Sequence, residues 1–206
     1  MSFEVNISRH LGQSTIIARF ESQGGLTALF GASGVGKSSI LNMIAGLLRP
    51  DSGHIIVNGH TLFNSQTRVN LPPERRRLGY VFQDGRLFPH FRVRANLLYG
   101  FHLARAEDRW IGFEETAAFL GIGHLMERWP STLSGGEAQR VAIGRALLSG
   151  ARCLLLDEPL SSLDEPRRAE IMTVIERIRD ELKLPILYVS HDHTEITRLA
   201  STIITL

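Results

Sequence analysis

The sequence predicts an α/β fold, in which a parallel β-sheet is covered by helices on both of its faces. Short apolar runs alternate with helical stretches along most of the 206 residues, and a glycine-rich loop joins one such run to a helix. Strand-like alternation near the N-terminus and a helical region in the middle of the chain depart from this pattern. We therefore expect additional antiparallel strands at the N-terminus and a helical subdomain inserted into the core.

The N-terminal part of the chain carries most of the predicted strands. An alternation of apolar and polar residues predicts strands at residues 3–7 and 15–20. Helical periodicity predicts a helix over residues 37–48, because Pro50 and Gly53 stop the pattern. Further strands are predicted at residues 26–30, 54–58 and 78–82.

The region 84–133 has helical stretches, such as residues 113–120, and few β-branched runs. We expect it to form a helical subdomain between two parts of the core, residues 1–83 and 134–206. The second part of the core continues the alternation of helices and strands. Helices are predicted at residues 135–148 and 166–182, and strands at residues 153–156, 186–190 and 202–206.

Composition and charge narrow the class of protein. The formal net charge is +2, from 23 basic and 21 acidic residues, so it gives no argument for a nucleic-acid partner, and we expect none. Cys153 is the one cysteine and cannot form an internal disulfide, which fits a reducing compartment. The N-terminus lacks the pattern of a signal peptide, and no apolar run reaches the roughly 18 residues of a membrane helix. We therefore expect a soluble chain, so that another chain would have to cross any membrane it serves.

The glycine-rich loop is the first motif that carries chemistry. It lies between a predicted strand and a predicted helix, which is the context of a phosphate-binding P-loop. Backbone N–H groups of such a loop surround a phosphate, Lys37 would reach the β- and γ-phosphates, and Ser38 would bind Mg²⁺. Without that context, the alternative is a glycine-rich turn with a chance lysine. The predicted nucleotide-binding residues are Gly31, Ala32, Ser33, Gly34, Val35, Gly36, Lys37, Ser38 and Ser39.

Two further motifs lie later in the chain. An apolar strand brings Asp157 and Glu158 to the edge of the sheet where open α/β proteins bind ligands. Asp157 would hold Mg²⁺, and Glu158 would act as the general base that polarises the attacking water. Ser134, Gly135 and Gly136 begin a helix whose first N–H groups are open to an anion, although this short string on its own favours an ordinary helix start.

Taken together with Gln83 and His191, these motifs resemble the ordered set of the ABC ATPase family, and the resemblance covers essentially the whole chain. Gln83 matches the family's Q-loop, residues 133–137 its signature motif, residues 161–164 its D-loop, and His191 its switch histidine. Glu137 stands where many members have glutamine. The resemblance implies a P-loop NTPase (RecA-like) core, with ATP and Mg²⁺ as cofactors.

The family resemblance also implies a mechanism in a head-to-tail dimer of two copies. Ser134, Gly135 and Gly136 would contact the ATP held by the partner's P-loop, and Asp164 would lie at the dimer seam. Gln83 would sense Mg²⁺ and the attacking water, and His191 would contact the γ-phosphate. The implied catalytic residues are Glu158, His191 and Gln83, and the implied metal ligands are Ser38, Gln83 and Asp157.

Longer matches at residues 71–84, 86–90, 144–148 and 184–191 resemble the ATPases of bacterial molybdate importers. This resemblance implies a membrane permease as partner, an indirect link to an external solute-binding protein, and a peripheral position on the cytoplasmic face of the cell membrane. ATPases of this branch continue into a C-terminal regulatory domain, which we expect to be absent because the chain stops at Leu206. Importers of sulfate, sugars or polyamines, and ABC ATPases without a transporter, are the alternatives.

Three local features of the sequence give further expectations about the base-binding region, an arginine-rich loop and two phenylalanines. Residues 8–13 lack the aromatic residue on which most members stack adenine, and His10 is the candidate substitute. The arginines at positions 75–77 are expected to form a solvated loop. Phe88 and Phe91 would belong either to a groove for the permease or to the core of the helical subdomain. A P-loop kinase and an inactive binding module are disfavoured, because Lys37, the acidic pair and His191 are all present.

Overall fold

The computed structural model describes residues 2–206, which form ten strands and six α-helices. The strands are β1 (Phe3–Leu11), β2 (Ser14–Ser22), β3 (Leu26–Phe30), β4 (Ser52–Val57), β5 (His60–Asn64), β6 (Val69–Asn70), β7 (Leu78–Val81), β8 (Cys153–Asp157), β9 (Ile186–Ser190) and β10 (Thr202–Thr205). The helices are α1 (Lys37–Ala45), α2 (Val93–Leu103), α3 (Phe113–Leu120), α4 (Gly135–Leu148), α5 (Glu165–Asp180) and α6 (His193–Leu199). Short 3₁₀ turns lie at Pro73–Arg75, Ala106–Asp108, Gly123–Leu125 and Pro130–Thr132.

The predicted parallel sheet is present, with the strand order β10-β3-β9-β8-β7. Its central strands β8 and β9 are buried throughout and mainly apolar, because both faces of the sheet are covered. In β8, Cys153 and Leu155 face the cluster that contains α1, whereas Leu154 and Leu156 face the cluster that contains α4 and α5. The α/β fold predicted from the sequence is therefore confirmed.

The second sheet is antiparallel, with the order β2-β1-β4-β5-β6. Helix α1 lies between the two sheets, because one hydrophobic cluster joins Phe3 and Ile7 of β1, Ile40 and Ile44 of α1, and Leu155 of β8. Both sheets therefore fix α1, and with it the glycine-rich loop that precedes the helix.

Helices α2 and α3 lie in the region 84–133, and both pack on α4 through the larger hydrophobic cluster. Leu97 and Leu120 of this region are buried together with Val141 and Leu147 of α4. The helices expected in this region are therefore present. The division into a core and a separate helical subdomain stays a prediction.

Several elements differ from the prediction in length or were not predicted. Strands β1 and β2 extend further and form a hairpin in which Leu11 pairs with Ser14. Helix α1 ends at Ala45, before residue 48, because Gly46 adopts a left-handed conformation with φ 84°. The strands β5 and β6 and the seven-residue helix α6 were not predicted.

Arg76 corrects the expectation of a solvated arginine loop. Its side chain is 4% exposed, and its guanidinium donates to the carbonyls of Met43 and Ile44 at 2.8 Å, near the C-terminus of α1. It also donates to the carbonyl of Leu71 at 2.8 Å, and burial lowers its pKa to about 10. The buried cation thus satisfies carbonyls that the end of a helix leaves without partners.

We expect Arg76→Met to lower the free energy of unfolding by about 3 kcal/mol, because three buried carbonyls lose their charged donor. Urea denaturation of the purified chain measures the change. Arg75→Met is the matched control, since Arg75 is exposed, and it should change the free energy by less than about 0.5 kcal/mol. Equal effects of the two substitutions would contradict the buried role of Arg76.

Candidate active site

The glycine-rich loop connects β3 to α1 at the carboxyl edge of the parallel sheet. Gly36 has φ 105°, and a side chain there would lie 3.1 Å from the side chain of Ile16 on β2. A residue with a Cβ atom would therefore be both strained and crowded. The loop therefore forms a tight turn that ends at Gly36, the N-cap of α1, where backbone N–H groups are available to an anion.

Lys37 is the first residue of α1 and is 4% exposed. Its ammonium donates to the carbonyls of Gly31 at 2.8 Å and Ala32 at 2.9 Å. No carboxylate among residues 2–206 forms an ion pair with it. Because carbonyls do not neutralise its charge, the ammonium remains suited to bind an anion in the loop.

Ser38 and Tyr80 hold Asp157 at the end of β8. The Ser38 hydroxyl donates to Asp157 Oδ1 at 2.9 Å, and the Tyr80 hydroxyl donates to Oδ2 at 3.1 Å. Burial raises the pKa of Asp157 above its ordinary value, and the charge of Glu158 adds to this, although the two hydroxyl groups and Lys37 act in the opposite direction. Burial and the same carboxylate raise the pKa of Tyr80, which therefore stays a hydrogen-bond donor at neutral pH.

The oxygen donors around Asp157 fit Mg²⁺. Ser38, Asp157 and Gln83 line one cavity of about 600 Å³, so the three predicted metal ligands lie around a common space. Hydroxyl, carboxylate and amide oxygens are the hard ligands that Mg²⁺ prefers. Residues 2–206 contain no group of three or more histidines, cysteines and acids placed to hold a metal ion.

Glu158 follows Asp157 directly but points into a different space. Its backbone has φ 45°, which is rare for a residue with a side chain and turns the chain sharply after β8. Glu158 Oε2 lies 3.2 Å from His191 Nδ1, and both residues line a small cavity of about 60 Å³. A carboxylate and an imidazole in contact can together accept and stabilise a proton.

Ser134 and Glu137 form a reciprocal cap at the start of α4. The Ser134 N–H donates to Glu137 Oε2 at 2.7 Å, and the Glu137 N–H donates to the Ser134 hydroxyl at 3.3 Å. The Ser134 N–H, helped by Arg128, holds the pKa of Glu137 below its ordinary value. The glutamate at this position thus has a structural role that explains why it can stand in place of glutamine.

The residues at the start of α4 line neither cavity described above. Gly135 lies against Leu163, and Gly136 lies against the side chain of Arg167. Asp164 caps α5 by accepting from the Arg167 N–H at 3.1 Å, and its side chain is exposed. Within one chain, therefore, residues 134–136 and Asp164 share a surface with each other and not with Lys37.

The first hairpin decides which side chains can approach the glycine-rich loop. Arg9 pairs with Ile16, which packs over Gly36, so residues 9 and 11 lie on the face of the sheet toward the loop. His10 alternates onto the opposite face of the strand, and its side chain is exposed. His10 is therefore poorly placed to stack on a base in the loop, whereas Leu11 occupies the appropriate face.

Sequence reasoning missed several polar residues of the site. Tyr80 occupies a strand position where an aromatic residue suggests only core packing, and Asn42 Oδ1 lies 3.2 Å from the same hydroxyl oxygen that contacts Asp157. Arg168 and Glu195 line the cavity of Glu158 and His191. Arg168 had no local signal, since its partners Asp192 and Glu195 lie more than 20 residues away, and the burial of Glu195 was not apparent although its partners Tyr188 and Ser190 are near in the sequence.

We expect Asp157→Asn to stabilise the ligand-free chain at pH 7.5 by a few degrees in Tm, because the ionised carboxylate is disfavoured in its buried position. The folded-state pKa of Asp157 lies above its unfolded value, so the native chain gains stability relative to the variant as pH falls through the folded pKa. Thermal unfolding at pH 7.5 and pH 5 tests both points.

Asp180→Asn is the control for this pH dependence. Asp180 is exposed, and its hydrogen bond to Arg179 lowers its pKa, so this substitution should not raise Tm at pH 7.5. A lower Tm for Asp157→Asn at pH 7.5 would show that the buried carboxylate contributes net stability.

Comparisons with known proteins agree with this geometry. A family model described as ABC transporter matches residues 21–161. The molybdenum import ATP-binding protein ModC of Brucella abortus (strain 2308) is 56% identical over 98% of this chain and 56% of its own length. ModC of Rhizobium meliloti (strain 1021) is 53% identical over 99% of this chain and 57% of its own length. The chain thus spans little more than half the length of these relatives.

Solved structures show the same architecture. The ATP-binding cassette MJ0796, described as a dimer in a post-hydrolysis state bound to ADP and Pi, superposes with a TM-score of 0.77 at 25% sequence identity. The match covers 100% of this chain and 93% of that one. The matched family model spans the glycine-rich loop, the start of α4 and the acidic pair after β8. The chain therefore belongs to the ABC transporter family.

Proposed function

We propose that the chain is the ATP-hydrolysing subunit of an importer, which works as a dimer and drives a separate membrane permease. The observation that carries this proposal is the convergence of three groups at one edge of the parallel sheet. These groups are the buried ammonium of Lys37, the Ser38–Asp157 pair and the Glu158–His191 pair. Each supplies a part that phosphoryl transfer to water requires.

ATP would place its β- and γ-phosphates against the loop N–H groups and Lys37, in place of the carbonyl contacts that Lys37 makes in the free chain. Ser38, Asp157 and Gln83 would hold Mg²⁺, which would neutralise negative charge on the phosphates. Tyr80 orients the Asp157 carboxylate, so it would act as a positioning residue in the same site.

Glu158 would take the proton from the attacking water, whose oxygen then forms the new bond to the γ-phosphorus. The bond from the γ-phosphorus to the bridging oxygen breaks, and the products are ADP and phosphate. His191, which contacts Glu158 at 3.2 Å, would stabilise the charge that develops on the γ-phosphate. Gln83 would contact both the metal and the attacking water.

A second copy of the chain would complete the site. Ser134, Gly135 and Gly136 line neither of these two cavities, and with the segment around Asp164 they form a surface on which Gly135 and Asp164 are exposed. Head-to-tail packing would place this surface against the ATP of the partner and Asp164 at the seam. The dimeric state described for MJ0796 supports this arrangement.

The region 84–133 would connect the ATPase core to the permease. His90, Phe91 and Tyr99 line an open cavity of about 680 Å³, together with the exposed side chains of Leu103 and Trp129. Phe88 packs against Phe91 and Tyr99 at the edge of this groove. The apolar, open groove suits a short helix of a partner protein.

No helix among residues 2–206 combines the length and apolarity needed to span a bilayer.

The transported solute is proposed from the relatives. The names of the ModC proteins specify molybdenum import, and the identity of 53–56% extends over nearly all of this chain. We therefore infer uptake of molybdate or a related oxyanion, at the cytoplasmic face of the cell membrane. An external solute-binding protein would be an indirect partner, and no nucleic acid is expected. Another importer or a non-transport ABC ATPase is the alternative.

We expect Glu158→Gln to reduce ATP hydrolysis at least about 100-fold, because the amide cannot accept the proton from water. Binding of ATP should persist, since Lys37 and Ser38 are unchanged, and the variant should form an ATP-dependent dimer. Steady-state phosphate release, a fluorescent-nucleotide titration and size-exclusion chromatography measure these three properties.

Glu114→Gln is the matched control, because Glu114 is exposed in the first turn of α3 and should leave all three properties unchanged. If the Glu158→Gln chain stayed monomeric with ATP and still hydrolysed it, the proposed mechanism would be wrong.

The transport role predicts a membrane partner. A tagged Glu158→Gln chain, purified from its own cells with ATP and detergent, should carry a permease that spans the membrane. Adding Leu103→Glu should reduce the recovered permease at least fivefold, because Leu103 is 75% exposed at the groove and a charge there opposes apolar docking. Ile17→Glu is the control, since Ile17 is 66% exposed on β2. Recovery of ribosomal or nucleic-acid partners alone would refute transport and leave the ATPase chemistry standing.

A further inference from the structure

A buried carboxylate lies directly behind the loop that carries His191. Glu195 belongs to the short helix α6, is 4% exposed and is part of neither the phosphate loop nor the metal site. Its Oε2 accepts two short hydrogen bonds, from the Tyr188 hydroxyl at 2.6 Å and the Ser190 hydroxyl at 2.7 Å. Removing a carboxylate from water costs free energy unless hydrogen bonds or opposite charges compensate for the lost hydration. The two hydroxyl groups supply such hydrogen bonds to Glu195.

Ser190 connects Glu195 to the backbone on both sides of His191. Its hydroxyl donates to Glu195 Oε2 and accepts from the Asp192 N–H at 3.0 Å, so one hydroxyl group fixes the loop across the histidine. The hydroxyl of Tyr188 donates to the same oxygen but comes from within β9, two residues before Ser190. Both hydroxyl groups therefore donate to Glu195, but only that of Ser190 also accepts a hydrogen bond from the backbone beside His191.

Arg168 connects this loop to the start of α5. Its guanidinium donates to Asp192 Oδ2 at 3.1 Å and lies 3.8 Å from Glu195 Oε1. Arg168 is one helical turn after Asp164, because its N–H donates to the Asp164 carbonyl at 2.9 Å. The proposed dimer seam is thus joined to the His191 loop through a single side chain.

The same cavity of about 60 Å³ is lined by Glu158, His191, Arg168, Ser190 and Glu195. Asp192 begins α6 by accepting from the N–H groups of Thr194 at 2.8 Å and Glu195 at 3.3 Å. Although burial acts in the opposite direction, these N–H groups and Arg168 hold the pKa of Asp192 below its ordinary value. The loop is therefore held by several hydrogen bonds, and those from Ser190 and Asp192 to side chains outside the loop lead to Glu195 and Arg168.

We propose that Glu195 and Arg168 are positioning residues, which fix His191 against Glu158 through Ser190 and Asp192 and couple it to the start of α5 at the dimer seam. This inference rests on the proposed ATPase function, since it assigns how His191 is held for that reaction. Neither residue contacts the glycine-rich loop, so substituting either one should lower kcat and leave the KM for ATP unchanged.

The test compares Ser190→Ala with Tyr188→Phe in the full 206-residue chain. Each substitution removes one hydroxyl group that donates to Glu195 Oε2, but only Ser190→Ala also releases the Asp192 N–H beside His191. We expect Ser190→Ala to lower kcat at least fivefold with KM within twofold of the native value. Tyr188→Phe should keep kcat within twofold, and Ser190→Thr, which retains the hydroxyl, should restore it.

A second matched pair covers the case in which Ser190→Ala does not fold. Arg168→Met and Arg198→Met each remove an ion pair between α5 and α6, since Arg198 pairs with Glu176 at 2.8 Å. Only Arg168 reaches the His191 loop, so Arg168→Met should lower kcat at least threefold and Arg198→Met less than twofold. In a His191→Ala background the effect of Arg168→Met should disappear, because a residue that acts through His191 is not additive with it.

The outcomes separate this inference from the proposed function. If the native chain does not hydrolyse ATP, the proposed function is wrong and the positioning role is wrong with it. If the native chain is active and both members of each pair change kcat equally, or neither member changes it, the ATPase function stands and the positioning role is refuted. Equal losses of kcat from Arg168→Met with and without His191 would also overturn it.

Discussion

The packing of α1 between two sheets is the constraint on which the rest of the structure depends. The helix is buried against β1 on one side and against β8 on the other, so it cannot shift without opening both interfaces. Its first two residues are Lys37 and Ser38, and its last carbonyls are held by Arg76. The rigid helix therefore places an ammonium and a hydroxyl at fixed positions relative to Asp157, which lies on the parallel sheet.

A change of backbone direction after β8 separates the side chains of two adjacent acids, Asp157 and Glu158. Asp157 continues the strand and meets Ser38 and Tyr80, whereas Glu158 adopts a left-handed conformation and meets His191. Strain of this kind persists only where the surrounding structure holds it, and here the Glu158 N–H donates to the Val189 carbonyl at 3.0 Å. The proposed metal ligand and the proposed general base therefore face separate spaces although the two residues are consecutive.

The parts of the fold that the sequence predicted are those decided by local pattern. Strand β3 and helix α4 have the predicted bounds, because an apolar run beside a glycine-rich loop and a capped amphipathic helix are unambiguous. Helix α6 was missed because seven residues are too few for a helical period to emerge. Arg76 was misjudged because its burial depends on contacts with the end of α1, more than 30 residues away. The partners of Glu195 were missed for another reason: Tyr188 and Ser190 are near in the sequence, but the burial of a carboxylate has no local signal.

The strand order of the parallel sheet has a consequence for how the chain folds during synthesis. Strand β3 has β9 and β10 as its neighbours, and both follow it only after a long intervening stretch of sequence. The antiparallel hairpin of β1 and β2 can form as soon as its own residues have been synthesised, whereas β3 has no partner in the parallel sheet until β9 has been synthesised. The strand that precedes the glycine-rich loop is therefore completed as part of a sheet much later than the hairpin beside it.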